Sequence, residues 1–264
     1  PVANFVAMSG SARNLVVMGD QMQLDNPTKG THPEDSGKSI LQYLLQDNAT
    51  VPKNIGVFLP KTFRMHPKVC EIISSYVYEG RLNADQSTSK YVLGTTKEGF
   101  SLQPGVHFVS VPHKFNSQGS LEEVQSIKNF TEKVIDMPFW PDSNNNIERK
   151  ISWSDILIVA PYNYQVNLLK SALNIKARIG TVDKFQGQEA PIVLLSMCSS
   201  EPSESPRGLE FLFSKNRLNV AISRAQSVSI VFASPKLISA PVNSLKQMAL
   251  INFFVKITGS KISF

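Results

Sequence analysis

Two arginines, Arg217 and Arg224, stand seven residues apart in the segment NRLNVAISRAQ, residues 216–226. Between them lie Leu218, Val220, Ala221 and Ile222, side chains that favour burial. On a helix this spacing is about two turns and sets both cations along one side, roughly 10 Å apart. Such cations serve either surface ion pairs or a bound polyanion, for which a planar, permanently charged guanidinium is well shaped. Other polar segments follow apolar runs in the same way. NLVVM leads into GDQMQL with Asp20 and Gln23, and IGVFLP into KTFRMHP with Phe63, Arg64 and His66. ILIVA leads into PYNYQ with Tyr162 and Gln165, and RIGTV into DKFQGQE with Asp183, Gln186, Gly187 and Glu189. Five such segments brought together would be costly to bury without a ligand, because each unpaired polar group gives up its hydration.

The apolar runs that must position these groups read as buried strands at residues 14–19, 105–111, 155–161, 191–198 and 228–235. They are continuous rather than alternating, as expected where helices cover both faces of a sheet. Between them SGKSILQYLLQ, LEEVQSIKNFTEKVI, NYQVNLLKSAL and NSLKQMALINFFVKI carry apolar stripes at helical spacing. Strand alternating with helix predicts an α/β fold with a largely parallel sheet. Ligands of such sheets sit at the carboxyl ends of the strands, so the chemistry is expected there. Residues 81–154 read as an ordinary strand–helix unit, and 139–150 as a loop.

Bulk properties narrow the classes. No apolar run approaches the roughly 18 residues that a membrane helix needs. The opening PVANFVAMSG has neither a basic n-region nor an initiator Met, which predicts a piece of a longer chain without a signal peptide. Cys70 and Cys198 lie far apart without metal-ligand spacing, so reduced thiols and a cytoplasmic location are expected. The +6 charge excess lies in residues 151–264, where twelve Lys/Arg face six Asp/Glu. That bias suits an anionic partner and equally suits a merely soluble basic surface.

In type and order the five segments resemble motifs of superfamily 1 helicases, in the branch of the nonsense-mediated-decay RNA helicases and the replication and repair helicase–nucleases. GDQMQL looks like the family's third motif, FRMHP is similar to YRMHP, TVDKFQGQE resembles the fifth motif, and RLNVAISRA the sixth, usually written RLNVALTRA. The resemblance implies a RecA-like, P-loop-NTPase-type fold, with residues 1–55 the end of a first such domain and 56–264 a second. It implies Arg224 as an arginine finger on the γ-phosphate of ATP, Arg64 as a second cation there, and Gln23 as a γ-phosphate sensor. Glu189 is implied at the ribose and Phe63 at the adenine, with Asp20, Gly187 and Arg217 also on the nucleotide side. Tyr162, Gln165, Thr181 and Gln186 are implied near a nucleic-acid strand. ATP with Mg²⁺, single-stranded DNA or RNA, and an upstream RecA-like domain are the implied cofactor and partners, with no membrane.

Phosphoryl transfer in P-loop enzymes also needs a Walker A lysine loop and acidic residues for the metal. SGKS at 36–39 has His32 where that loop requires Gly and no strand before it, and reads as a loop with Ser36 capping a helix. PDSNNNIERK spells a nuclease-like pattern through Asp142, Glu148 and Lys150 but lacks the apolar strand to hold its carboxylates. None of the thirteen residues before NLVVMG is acidic, so the chain is expected to begin just after Walker B and to be inactive in isolation. The alternative is a non-catalytic nucleic-acid-binding module derived from a helicase domain. A small-molecule α/β enzyme would need a nucleophile elbow or GxGxxG, and neither occurs.

Overall fold

A computed structural model describes residues 1–24, 30, 32–46, 48–140, 148–258 and 262 of the 264. Helix α1 (Val2–Met8) and the short helix α2 (Ile40–Leu45) come first. Strand β1 (Lys61–Thr62), helix α3 (Pro67–Val77) and strand β2 (Asn83–Ala84) follow, with β1 and β2 paired in parallel. Strand β3 (Gly105–Ser110) leads to α4 (Leu121–Val134), and the short strands β4 (Pro138–Phe139) and β5 (Arg149–Lys150) pair antiparallel. Next are β6 (Ile156–Val159), α5 (Asn163–Ala172), β7 (Arg178–Gly180) and β8 (Ala190–Ser196). Helices α6 (Gly208–Leu212) and α7 (Lys215–Ile222), strand β9 (Ala225–Ala233) and α8 (Leu245–Ile257) come last.

The central sheet has the order β3-β9-β8-β6-β7, and every pairing within it is parallel. This is the predicted α/β layer. Every residue of β6 and β8 is buried, because helices cover both faces. Successive side chains alternate between two cores: Val193 and Leu195 join Val69, Ile73, Val220 and Phe254 on one side. Ile192 and Leu194 join Val124, Ile127, Phe130 and Leu169 on the other. Helix α4 begins where its sequence demands, with Ser120 accepting from the Glu123 amide at 3.1 Å and two glutamates in the first turn. The strand–helix reading of residues 81–154 therefore holds for β3 and α4. Part of the expected loop at 139–150 is instead the β4–β5 ribbon, and Asp142 lies outside the described residues.

Three local expectations change. NLVVMG is not a strand: Val16 is 87% and Met18 91% exposed, and no neighbouring strand among the described residues is there to pair with them. The run before Lys61 behaves likewise, with Val57 and Leu59 exposed. Helix α2 is capped by Ser39 rather than Ser36, in a reciprocal box with Gln42. The Ser39 hydroxyl can reach the amide three residues on, and Gln42 can reach back. No helix among the described residues is long and apolar enough to cross a membrane.

Candidate active site

Helix α7 stops at Ile222, with Ser223 as its C-cap, so Arg224 is not a second cation on one helical stripe. It occupies the turn from α7 into β9. By topology α7 carries the chain back from the end of β8 to the start of β9, so this turn lies at the amino edge of the sheet. Glu189 immediately precedes β8 at the same edge, and the His66 amide donates to the Gln226 carbonyl at 2.7 Å, anchoring FRMHP beside it. The expectation that these segments meet at the carboxyl edge is thus overturned for Arg64, Glu189 and Arg224. A crossover helix delivers its carboxyl-terminal residues to the opposite edge.

Arg224 is 2% exposed. Its Nε donates to the Val220 carbonyl at 3.1 Å and one terminal nitrogen to the Gln188 carbonyl at 3.3 Å. Among the described residues no carboxylate forms an ion pair with it. Burial, and then the neighbouring Arg64 cation, lower its pKa to about 10, while Tyr78, Glu189 and Asp20 act in the opposite sense. Arg64 donates through Nε to Glu189 Oε2 at 2.8 Å and through a terminal nitrogen to the Ser223 carbonyl at 3.4 Å. The second oxygen of Glu189 accepts from Gln226 at 2.9 Å. Both oxygens of Glu189 are therefore engaged by side chains of this chain. Phe63, next to Arg64, is 66% exposed, with the Lys61 ammonium 6.0 Å from its ring centroid.

The GDQMQL loop docks against α7. Asn216 donates to the Gln21 and Gln23 carbonyls at 3.2 and 2.7 Å, and Asn219 to the Met22 carbonyl at 2.8 Å. Asp20 accepts from the Met22 amide, the Gln23 side chain and the Tyr78 hydroxyl at 2.9, 2.9 and 2.6 Å. A cleft of about 590 Å³ opens beside this loop, lined in part by Asp20, Gln23, Leu24, Ser39 and Gln186. The structure thus brings Asp20, Gln23, Arg64, Glu189 and Arg224 into one neighbourhood. Gln186, expected beside a nucleic-acid strand, is among the residues that line this cleft. Gly187, exposed next to it, has φ +80°, and the space beyond its α-carbon is open, so backbone conformation rather than crowding calls for glycine.

Other expected residues lie apart. Arg217 pairs with Asp183 at 3.2 Å and packs 4.7 Å from the Phe211 ring, so its guanidinium is partnered by these two groups. Tyr162 is buried, its hydroxyl 2.6 Å from that of Ser205 and its ring against Phe211, so it offers no open stacking face. Thr181 is half-buried at the cap of the 182–185 turn. Gln165 is fully buried: its carbonyl accepts from the Ser120 amide at 2.8 Å, and its amide donates to the Ser120 carbonyl and the Ser196 hydroxyl at 3.2 and 2.9 Å. Its polar atoms are thus engaged within the core. Lys38 of SGKS is half-exposed and pairs with Asp35 at 2.7 Å, an i,i+3 surface bridge.

Sequence reading missed a buried network at the carboxyl edge. His113 Nε2 lies 3.0 Å from Glu123 Oε1, and its Nδ1 lies 2.8 Å from Ser200 Oγ. Glu123 Oε2 also accepts from Ser196 Oγ at 2.5 Å and the Cys198 amide at 3.0 Å. The Ser–His–Glu order resembles a hydrolase triad, but all three side chains are sealed from solvent, so it pins three loops together. Tyr78, Asn216 and Asn219 were also missed. The asparagines, three residues apart and so on one helix face, with Asn219 between Leu218 and Val220, were the available signal.

The family AAA_12, described as an AAA domain, matches residues 36–236. The chain is 31% identical over 175 residues to an uncharacterized ATP-dependent helicase of Caenorhabditis elegans, covering 66% of this chain and 11% of that protein. It is 26% identical over 230 residues to the DNA polymerase alpha-associated DNA helicase A of Schizosaccharomyces pombe, covering 80% of this chain and 32% of that protein. The chain thus spans between about a tenth and a third of these relatives' length. Among solved structures, the PRRSV helicase aligns with a TM-score of 0.32 at 15% identity, over 75% of this chain and 31% of that chain. A match that takes in FRMHP, TVDKFQGQE and RLNVAISRA together shows that the chain belongs to the AAA_12 family, the C-terminal RecA-like region of superfamily 1 helicases.

Proposed function

We propose that this chain supplies one wall of an ATP cleft in a helicase or translocase that acts on single-stranded nucleic acid, residues 1–55 belonging to a first RecA-like domain and 56–264 forming the second. The observation that carries this reading is Arg224: a buried guanidinium beside a second cation, Arg64, with backbone carbonyls as its hydrogen-bond partners among the described residues. A buried charge without a counter-ion is costly, and an incoming anion relieves that cost. ATP supplies a triphosphate on which negative charge spreads over the phosphoryl oxygens as the bond breaks. Arg224 and Arg64 suit that charge as planar, permanently charged donors. Gln23, fixed through Asp20, faces the cleft as the phosphate-sensing group, and Phe63 offers its ring to the base.

The sequence holds no Walker A loop, and no cluster of three or more His, Cys, Asp or Glu able to hold a metal lies among the described residues. In this reading the lysine loop and the Mg²⁺ ligands come from the first domain. Exposed Val16, Met18, Val57 and Leu59 support such a facing wall, since apolar surface of that kind favours a cover. The basic excess of residues 151–264 favours the nucleic-acid partner, and two buried free cysteines suit a reducing cytoplasm.

The test is ATP hydrolysis, stimulated by single strands, in the parent protein and its Arg224→Ala variant. The variant should lose activity by about 10³-fold or more, in line with other arginine fingers. Wild-type hydrolysis by Arg224→Ala would remove the reading and leave the non-catalytic binding module.

A further inference from the structure

Helix α3 ends at Tyr78, and two residues with positive φ, Glu79 at +55° and Gly80 at +73°, turn the chain back on itself. The turn is closed by the Gly80 amide on the Ser74 carbonyl at 2.9 Å and the Arg81 amide on the Tyr78 carbonyl at 2.9 Å. Residues on either side of the turn bond to the segment before β1. Arg81 donates to Thr50 Oγ1 and the Val51 carbonyl at 2.6 and 2.9 Å, with its guanidinium 4.8 Å from the Phe58 ring. Tyr78, buried and tilted against Phe58, donates its hydroxyl proton to Asp20 at 2.6 Å. That hydroxyl accepts from Asn219 at 3.0 Å, and the same Asn219 amide donates to the Met22 carbonyl. Asn219 Oδ1 is buried without a hydrogen-bond partner among the described residues, so its polarity is committed to Tyr78 and the GDQMQL loop.

We propose that Tyr78 is a positioning residue of the ATP cleft: its hydroxyl joins the Asp20–Gln23 loop to α7, so that Gln23 and Arg224 are set against the same phosphate. This rests on the cleft reading given above. The chain of contacts is continuous. Gln23 is held by Asp20, Asp20 by Tyr78, Tyr78 by Asn219, and Asn219 lies on the helix whose end delivers Arg224. Burial first and the Asp20 carboxylate second raise the Tyr78 pKa well above its ordinary value, so the hydroxyl remains a donor at every working pH. A phenol is suited to this post because it bonds two polar partners while its ring stays in the core.

The experiment measures strand-stimulated ATP hydrolysis by the parent protein carrying Tyr78→Phe, Gln23→Ala, both, or Arg224→Ala. Tyr78→Phe keeps the ring and removes one oxygen, leaving Asp20 its bonds to Gln23 and Met22. It should lower kcat about tenfold, the worth of one hydrogen bond to a charged group, with KM for ATP changed by less than about threefold. Added to Gln23→Ala it should cost less than about twofold more, because both changes release one unit. Wild-type kcat in Tyr78→Phe, or losses that multiply in the double variant, would overturn the proposal. If Tyr78→Phe does not fold, Asn219→Ala, which frees Tyr78 from α7, carries the same expectation and the same overturning result. Arg224→Ala separates the two readings. An active Arg224→Ala defeats the cleft itself, whereas an inactive one beside a wild-type Tyr78→Phe defeats only the role of Tyr78.

Discussion

Arg64 is held by Glu189, Nε to Oε2 at 2.8 Å across 125 residues of chain, while Gln226 occupies the other carboxylate oxygen. If Glu189 acts by holding the Arg64 guanidinium plane rather than by touching the ribose, its effect should not depend on the sugar. Glu189→Gln should lower kcat by about tenfold through the weakened charge-assisted bond. The drop should be equal with ATP and 2′-deoxy-ATP. A loss confined to ATP would instead give Glu189 the ribose.

Arg224 should not tolerate lysine. An ammonium lacks the planar fork that here reaches the Val220 and Gln188 carbonyls together. Arg224→Lys in the parent protein is expected to fall within about tenfold of Arg224→Ala in kcat. Burial lowers its pKa to about 10, yet the guanidinium stays charged across the working pH range, so the pH profile should take no limb from Arg224.

The Glu123–His113 pair should matter for stability rather than for turnover. Glu123→Ala leaves His113, Ser196 and the Cys198 amide without their shared acceptor in a dry site. A loss of about 3–5 kcal/mol is expected, read as a fall in denaturation midpoint. A midpoint unchanged from wild type would show that water or a neighbour replaces the carboxylate.

Acid sensitivity is expected from two histidines. Burial, then the nearby Lys68 charge, outweigh a bond with the Ser89 backbone and lower the pKa of His66 below 6.5, while its Nδ1 caps α3 by accepting from the Lys68 amide at 3.1 Å. Burial likewise lowers His107. The unfolded chain then binds more protons below 6.5 than the folded one. Their contribution is complete above that pH and is lost as pH falls through the lowered values. His66→Asn keeps a cap acceptor and should flatten that part of the stability profile. An unaltered slope would count against His66.

Gln165→Ala should reduce stability and leave strand affinity of the folded protein unchanged, since among the described residues the side chain bonds Ser120 and Ser196 alone. Strand binding measured by anisotropy at fixed salt decides it. A drop of tenfold or about 1.4 kcal/mol would return Gln165 to the strand interface.

Much of the frame was legible because burial writes itself into composition. The runs at 105–111, 155–161, 191–198 and 228–235 are strands within a few residues of their expected bounds, being apolar on both faces. The same rule misread NLVVMG, since apolar content predicts a need for cover, not which neighbour provides it. At the site, the residue types of FRMHP, TVDKFQGQE and RLNVAISRA pointed to anion chemistry. The side chains of Gln165, Tyr162 and Arg217 could not be sorted from those of Arg64 and Arg224 by type alone. All are polar or aromatic residues beside strands.

By itself the sequence determined the α/β alternation, the identity of the cations and the family, for these follow from local pattern and side-chain chemistry. Only tertiary structure decided which cations lie side by side. That Arg224 leaves its helix, that Glu189 serves Arg64, and that Tyr78 reaches Asp20 across 58 residues are consequences of chain crossings. A hydrogen bond depends on distance in space, and separation along the chain carries no record of it.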